Sequence, residues 1–363
     1  MACVTACPSG VRYDELIVET RAQIEAGTKR PLPERMLRAF IFWLFCVPRR
    51  LERLRPYLAL YQRLGIDKLI GTAGMKRLLP SSFAAMQAIT PRIRRPVEIP
   101  AFTPARGPKR GRVAVLTGCV QSVFFSEVNA ATVRVLAAEG FDVVVPENQG
   151  CCGALSSHSG RMDEARRHAR ALIDCLASYE VDALVVNSAG CGSAIKEYGH
   201  LFSGEPDYLD RAEAFARQSR DVTEFIAEQG SVTAPHPLPV TIAYHDACHL
   251  AHAQQIRDEP RALLSNISGL ELREIANPDM CCGSAGIYNI LQADAAREIG
   301  ELKAQTVADT GAELIVAGNP GCLMQLKAAL AAQGHKVATA HTIEVLDAAI
   351  TGQDVARFVR DHV

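Results

Sequence analysis

Eight of the twelve cysteines in this 363-residue chain form two sets of four with nearly the same spacing. In the first, Cys119 precedes the adjacent pair Cys151-Cys152 by 32 positions, and Cys191 follows the pair by 39. In the second, Cys248 precedes Cys281-Cys282 by 33, and Cys322 follows by 40. Glycine follows each pair, as Gly153 and Gly283. Random placement of 12 cysteines and 26 glycines gives about 0.03 Cys-Cys-Gly triplets, so two with matched flanks mark an internal duplication. A repeat of this size sets the architecture: two units of one plan, each gathering four thiols. Cys46, in an apolar run, and Cys175, in a helical pattern, have no repeat partner and read as small core residues.

The hydrophobic pattern supplies the units. Short apolar runs at 113–116, 141–145 and 181–186 read as buried strands, and 123–139 and 161–179 as helices. After a helical connector at 206–229 the plan returns, with strands at 240–244, 270–275, 313–317 and 337–340. Helices are expected at 287–309, from Cys322 to 332, and at 342–349. Strands alternating with helices imply βαβ units on a parallel sheet. The expected fold class is therefore α/β, with two pseudo-repeated units preceded by a mostly helical N-terminal segment. In such sheets ligands bind where loops leave the carboxyl ends of strands. All eight cysteines fall on loops of that kind. Upstream, 12–27, 34–47 and 51–64 carry helical spacing, 66–80 is ambiguous, and 91–108 reads as an extended linker wrapping the next domain.

Charge divides the chain in the same place. Residues 1–112 hold 21 Lys+Arg against 8 Asp+Glu, a net of +13; residues 113–363 hold 18 against 32, a net of −14. A basic third on an acidic body predicts a docking surface for anionic lipid, an acidic partner or the protein's own body. The longest apolar run, 39–47, is nine residues, well short of the ~20 that span a bilayer. A cytoplasmic protein, or one peripheral on the cytoplasmic face of the inner membrane, is expected, with no nucleic-acid partner. In a reducing compartment twelve cysteines point to metal or redox chemistry rather than structural disulfides.

Sets of four thiolates suit an iron–sulfur cluster or zinc. Adjacent cysteines serve one tetrahedral ion poorly because neighbouring side chains diverge, whereas a cluster offers several metal corners. Glycine after the pair would let the backbone approach inorganic sulfur. A redox-active dithiol at Cys281-Cys282 and a zinc scaffold remain alternatives. His245, His249 and His252 surround Cys248; one of them could be an extra ligand, but His245 with Asp246 at the end of a strand reads rather as hydrogen-bonding support. Leu116-Thr117-Gly118 occupies that place in the first repeat, which excludes a His ligand common to both. With no Ser-His-Asp set, P-loop, G-x-G-x-x-G or H-E-x-x-H, no self-contained organic active site is read. At the start, Cys3-x3-Cys7-Pro8 matches the second half of a ferredoxin ligand run.

The doubled pattern resembles the cysteine-rich CCG domain of heterodisulfide reductase B subunits and related redox subunits. Cys7-Pro8-Ser9-Gly10-Val11, the basic helical segment, Thr117-Gly118-Cys119, Tyr244-His245-Asp246-Ala247-Cys248-His249 and Cys281-Cys282-Gly283-Ser284-Ala285-Gly286 together are similar to the glycolate oxidase iron–sulfur subunit family. That resemblance implies an electron-transfer subunit of a 2-hydroxy-acid dehydrogenase complex, serving glycolate or lactate. It would carry electrons from a flavin-containing partner subunit towards a quinone-type acceptor. It implies 4Fe-4S iron–sulfur cofactors, flavin only on the partner, peripheral membrane contact through the basic third, and no catalytic residue on this chain. The implied metal ligands are Cys119, Cys151, Cys152, Cys191, Cys248, Cys281, Cys282 and Cys322, with Cys3 and Cys7 for N-terminal clusters. The expected domains are 1–30, remnant of a ferredoxin-like domain with a truncated or misassigned start; 31–111, basic helices and linker; 112–200, first repeat; 201–239, connector; and 240–363, second repeat with a C-terminal helix. Family members commonly end the pattern in C-x-x-C; here Ser188 and Asn319 hold the leading positions.

Overall fold

A computed structural model describes residues 1–70, 79–230 and 234–363 of the chain. Two sheets carry the two repeats. The first contains β1 (Phe102–Thr103), β2 (Gly111–Leu116), β3 (Phe141–Val144), β4 (Ala183–Val186) and β5 (Ser219–Asp221), in the order β1-β3-β2-β4-β5. The second contains β6 (Thr241–Tyr244), β7 (Glu271–Glu274), β8 (Leu314–Ala317) and β9 (Ala338–His341), in the order β7-β6-β8-β9. Apart from β1, which pairs antiparallel with β3, every pairing is parallel. Removing β1 leaves the same strand order twice, so the duplication in the cysteines is a duplication of the sheet. The α/β expectation holds.

The central strands β4 and β8 are apolar and buried along their length, as strands covered on both faces must be. The helices that cover them interlock the repeats. Ser126–Ala138 of the first repeat packs against Thr342–Thr351 of the second, and one core joins Val128, Ala131 and Val135 to Ile343, Leu346 and Ala349. Arg134 donates to both carboxylate oxygens of Asp347 across this contact, at 2.9 and 2.6 Å. By the pseudo-symmetry Val222–Gln229 meets Asp258–Ser265. Each late helix starts with a capping box: Glu224 closes on Asp221, and Glu344 on His341.

Several expectations shift. The helix expected at 123–139 breaks at Phe125 into Val120–Phe124 and Ser126–Ala138. The connector at 206–229 is two helices separated by β5, whose Ser-Arg-Asp sequence carries no strand propensity and is held extended by pairing with β4. The 91–108 linker contains β1, which covers the sheet edge at β3. Within the ambiguous 66–80 stretch Ile66–Ile70 is helical, and 71–78 lies outside the described residues.

The N-terminal helices Tyr13–Gly27, Leu32–Phe45 and Pro48–Arg63 pack on the repeats. Ile41, Phe42 and Cys46 bury against Cys151 of the first repeat and against Ile287 and Ile290 of the second. Part of the basic charge is spent on the protein's own body: Arg21 donates to the His158 carbonyl at 2.8 Å, and Arg49 to Asn148 at 2.6 Å. The outer side leaves Leu32, Met36, Phe40, Trp43 and Tyr57 exposed. Among the described residues no helix is long and apolar enough to cross a membrane.

Candidate metal centres

Each cysteine set assembles at the carboxyl ends of its strands. Cys119 follows β2, Cys151 and Cys152 follow β3, and Cys191 lies in the first turn of the helix after β4. Cys248 follows β6, the second pair follows β7, and Cys322 lies in the first turn of the helix after β8. The thiols touch in series. Cys151 contacts Cys119 and Cys152, and Cys152 contacts Cys191. Cys281 contacts Cys248 and Cys282, and Cys282 contacts Cys322. All twelve cysteines are free thiols. Both pairs turn in the same way: the N–H of Gly153 donates to Cys151 Sγ, and that of Gly283 to Cys281 Sγ, each at 3.3 Å.

The glycine is also required by the backbone. Gly153 and Gly283 have φ of +82° and +88°. A Cβ there would lie 2.8 Å from the Ala165 carbonyl oxygen and 2.4 Å from that of Ala296, both on the following helices. Glycine therefore permits the left-handed turn and close helix approach, while its N–H faces sulfur.

Crowding polarises the thiols. Contact with Cys151 pushes Cys152 well down, while Cys119 and Cys152 push Cys151 up and Cys152 pushes Cys191 up. In the second set Cys248 and then Cys282 bring Cys281 down to about 2, and Cys282, His245 and Asn319 bring Cys322 to about 5. Cys248 and Cys282 rise well above the ordinary thiol value through contact with Cys281. The opposed shifts mean that the thiols of each set titrate as one coupled group, and deprotonating several of them in a buried site calls for a cation to balance the charge. That donor chemistry fits a metal cluster.

Further donors approach the sets. Cys46, expected to be a plain core residue, contacts Cys151, and its thiol is lowered to about 6 by Cys151, His168 and Ser156. Its Sγ, a Glu164 carboxylate oxygen and a His168 ring nitrogen lie within 4.8 Å of one another. Nothing in its apolar run marks Cys46 for this role; only the packing of Leu32–Phe45 brings it there. In the second set a ring nitrogen of His245 lies within 4.8 Å of the sulfurs of Cys282 and Cys322. The support expected of His245 and Asp246 divides. Asp246 receives both arms of Arg261 at 2.9 and 2.8 Å. Apart from the approach to the Cys322 thiol, neither ring nitrogen of His245 has a hydrogen-bond partner among the described residues.

The remaining cysteines stand apart. Cys3 is exposed on the short helix Ala2–Ala6, and Cys7, half-buried, has its thiol lowered by the N–H groups of Val11, Ser9 and Gly10. Neither is among the contacts of the two sets. Cys175 is half-buried rather than a core residue, and its Sγ faces the Glu147 carbonyl at 3.4 Å.

The two sets face each other across the repeat interface. Ser188 Oγ donates to Asn319 Oδ1 at 3.4 Å, Ala189 N–H donates to the Gly318 carbonyl at 3.1 Å, and Asn319 Nδ2 reaches Cys322 Sγ at 3.3 Å. On another side the rings of His158 and His249 lie 4.9 Å apart, with His249 Nδ1 3.5 Å from Cys248 Sγ. Burial holds both imidazoles neutral, lowering them to about 4 and about 3. A cavity of about 720 Å³ opens beside His158, lined also by Arg21, Leu37, Phe83, Met86 and Tyr288.

Comparison with known proteins follows the same division. Residues 113–196 and 242–327 match the family described as "Cysteine-rich domain" (CCG), and 33–90 match "Glycolate oxidase iron-sulfur subunit, linker region". The chain is 36% identical over 353 residues to the probable glycolate oxidase iron-sulfur subunit of Bacillus subtilis (strain 168), covering 95% of this chain and 80% of that one. It is 31% identical over 356 residues to the glycolate oxidase iron-sulfur subunit of Escherichia coli (strain K12), covering 96% and 80%. Lactate utilization protein A of Bacillus subtilis is 30% identical over 237 residues, 65% of this chain and 99% of that protein. A crystal structure of a hypothetical protein from Helicobacter pylori shares the fold, with a TM-score of 0.51 and 11% identity over 77% of this chain and 55% of that one.

Proposed function

This chain belongs to the family of glycolate oxidase iron–sulfur subunits, and we propose that it carries electrons from a flavin-containing partner subunit, where glycolate is oxidised to glyoxylate, towards a quinone-type acceptor. The single observation that carries the reading is the gathering of two four-thiol sets, facing each other, from distant parts of the sequence. An iron–sulfur cluster, when bound, supplies reversible one-electron storage. The chain's residues do the rest. Cys119, Cys151, Cys152 and Cys191 hold one 4Fe-4S cluster, with Cys46 beside them. Cys248, Cys281, Cys282 and Cys322 hold another. The Gly153 and Gly283 N–H groups stabilise thiolate charge. The neutral pair His158 and His249 packs against the second set at Cys248. Cys3 and Cys7 belong to ligand runs of N-terminal clusters.

Substrate oxidation lies on the partner, so this chain does not choose between glycolate and lactate; its similarity to lactate utilization protein A keeps both within the 2-hydroxy acids. The exposed Leu32, Met36, Phe40 and Trp43 on the basic third support a peripheral contact with the cytoplasmic membrane face. The cavity beside His158 supports entry of a small ring-shaped acceptor.

The test is iron and acid-labile sulfide per chain on anaerobically purified protein, with electron paramagnetic resonance. Cys151→Ser and Cys281→Ser should each remove roughly half of the repeat-bound iron, since each breaks one ligand set. Negligible iron in wild-type protein reconstituted under strict anaerobiosis would overturn the reading and leave zinc or a dithiol.

A further inference from the structure

His245 is the residue that the thiol count leaves unexplained. It follows β6 directly, and its N–H donates to the Val316 carbonyl of β8 at 2.8 Å, which ties its backbone to the central strand. The residue is only 1% exposed, and apart from its approach to the Cys322 thiol, which it lowers, neither ring nitrogen has a hydrogen-bond partner among the described residues. An imidazole buried in that state carries an uncompensated desolvation cost unless something absent from the polypeptide satisfies it. One of its nitrogens lies within 4.8 Å of Cys282 Sγ and Cys322 Sγ. The partner that would satisfy the ring is thus the one those sulfurs bind.

We propose that His245 is a nitrogen ligand of the iron–sulfur cluster held by Cys248, Cys281, Cys282 and Cys322, which rests on the cluster reading above. The extra donor belongs to this repeat alone. In the first repeat Thr117 follows β2 directly, and the additional group at that site is the Cys46 thiol. Asn319 donates to Cys322 and accepts from Ser188, so its side chain is already engaged at this site.

The consequence is one of charge. A neutral imidazole adds a ligand without the negative charge that a further thiolate would bring, so the second cluster keeps a higher reduction potential than it would with cysteine in place of His245.

The experiment is pulsed electron paramagnetic resonance on the anaerobic, cryoreduced full chain grown with ¹⁵N-histidine, recorded in wild type and in the Cys151→Ser background, where the second centre is read alone. A ¹⁵N coupling of directly bonded size is expected in both. His245→Cys, which supplies a thiolate instead, should keep iron and sulfide content, lose the coupling and lower the midpoint potential of the second centre. A fully loaded second cluster without ¹⁵N coupling, or a coupling that persists in His245→Cys, overturns the proposal. The latter result would implicate another imidazole such as His249. Wild-type protein that binds no iron fails at the earlier step and removes the cluster reading itself.

Discussion

The loops of the first repeat are held by neutral amides, and those of the second by charged side chains. In the first, Gln149 accepts from the N–H of Thr117 and donates to the Val115 carbonyl, both at 2.9 Å. Asn187 donates to Asn129 at 2.9 Å and to Thr132 at 2.7 Å, Asn129 donates to the Thr117 carbonyl at 3.0 Å, and Gln121 donates to both Asn129 and Asn187. In the second, Arg261 clamps Asp246 and Glu274, and fully buried Lys303 donates to the carbonyls of Asn277 and Pro278 at 2.7 and 2.9 Å. Burial lowers the Lys303 ammonium to about 8. One backbone plan therefore carries two electrostatic environments, with buried amides bracing the loops of the first thiol set and ion pairs and a buried ammonium bracing those of the second. Differing surroundings are how one cluster type acquires differing potentials.

The strongest way to break the comparison is to attack what the repeats share. Gly153→Ala and Gly283→Ala should each destabilise by at least about 1 kcal/mol, because positive φ and a backbone clash act together. Gly283→Ala should be worse, since its Cβ would meet a carbonyl at 2.4 Å rather than 2.8 Å. Urea titration of both variants measures this; equal and negligible losses would show that the turn relaxes freely.

Attacking what differs should separate the repeats. Lys303→Met leaves the Asn277 and Pro278 carbonyls unpaired just before Cys281, and Gln149→Leu does the same to the Thr117 N–H and the Val115 carbonyl. Each should cost about 2 kcal/mol. Under chelator challenge, Lys303→Met should release iron first from the second repeat, and Gln149→Leu first from the first. Release without regard to repeat would mean that the loops are not independently braced.

A smaller contrast comes from pH. The two capping-box glutamates occupy equivalent places but meet different cations: Glu224 pairs with Lys196 at 2.6 Å, Glu344 with His362 at 3.4 Å. Glu344 holds the His362 imidazolium above its ordinary value against the opposing effect of burial, and His362 in turn holds Glu344 below its own. The His362 contribution is complete below about pH 6.5 and is lost as pH rises through its folded value; the Glu344 contribution is lost as pH falls below about 4.5. Melting temperature should therefore fall modestly above neutrality, and His362→Asn should remove that part of the slope. Histidine is the side chain that makes this docking contact respond near neutrality.

The sheet plan and the eight repeated cysteines were legible because β2, β3, β4, β6 and β8 are largely apolar runs, each ending at a cysteine-bearing loop. Periodicity and spacing carry that information locally. What escaped depends on contacts between distant segments. Ser219–Asp221 becomes a strand only because β4 lies beside it. Cys46 meets Cys151 across 105 positions through the packing of a helix whose own pattern says only that one face is apolar. His245 could be placed near Cys248 from sequence, but the lack of other hydrogen-bond partners for its ring is a property of the assembled interior.

The packing of Ser126–Ala138 against Thr342–Thr351 also fixes an order of events during synthesis. All four thiols of the first set leave the ribosome by residue 191, yet the helix that completes their repeat's core is translated about 150 residues later. At ~5–20 residues per second, those cysteines wait on the order of ten seconds or more in an unfinished fold, open to oxidants and stray metals. The first set is therefore the one that stands longer before the core of its own repeat can close.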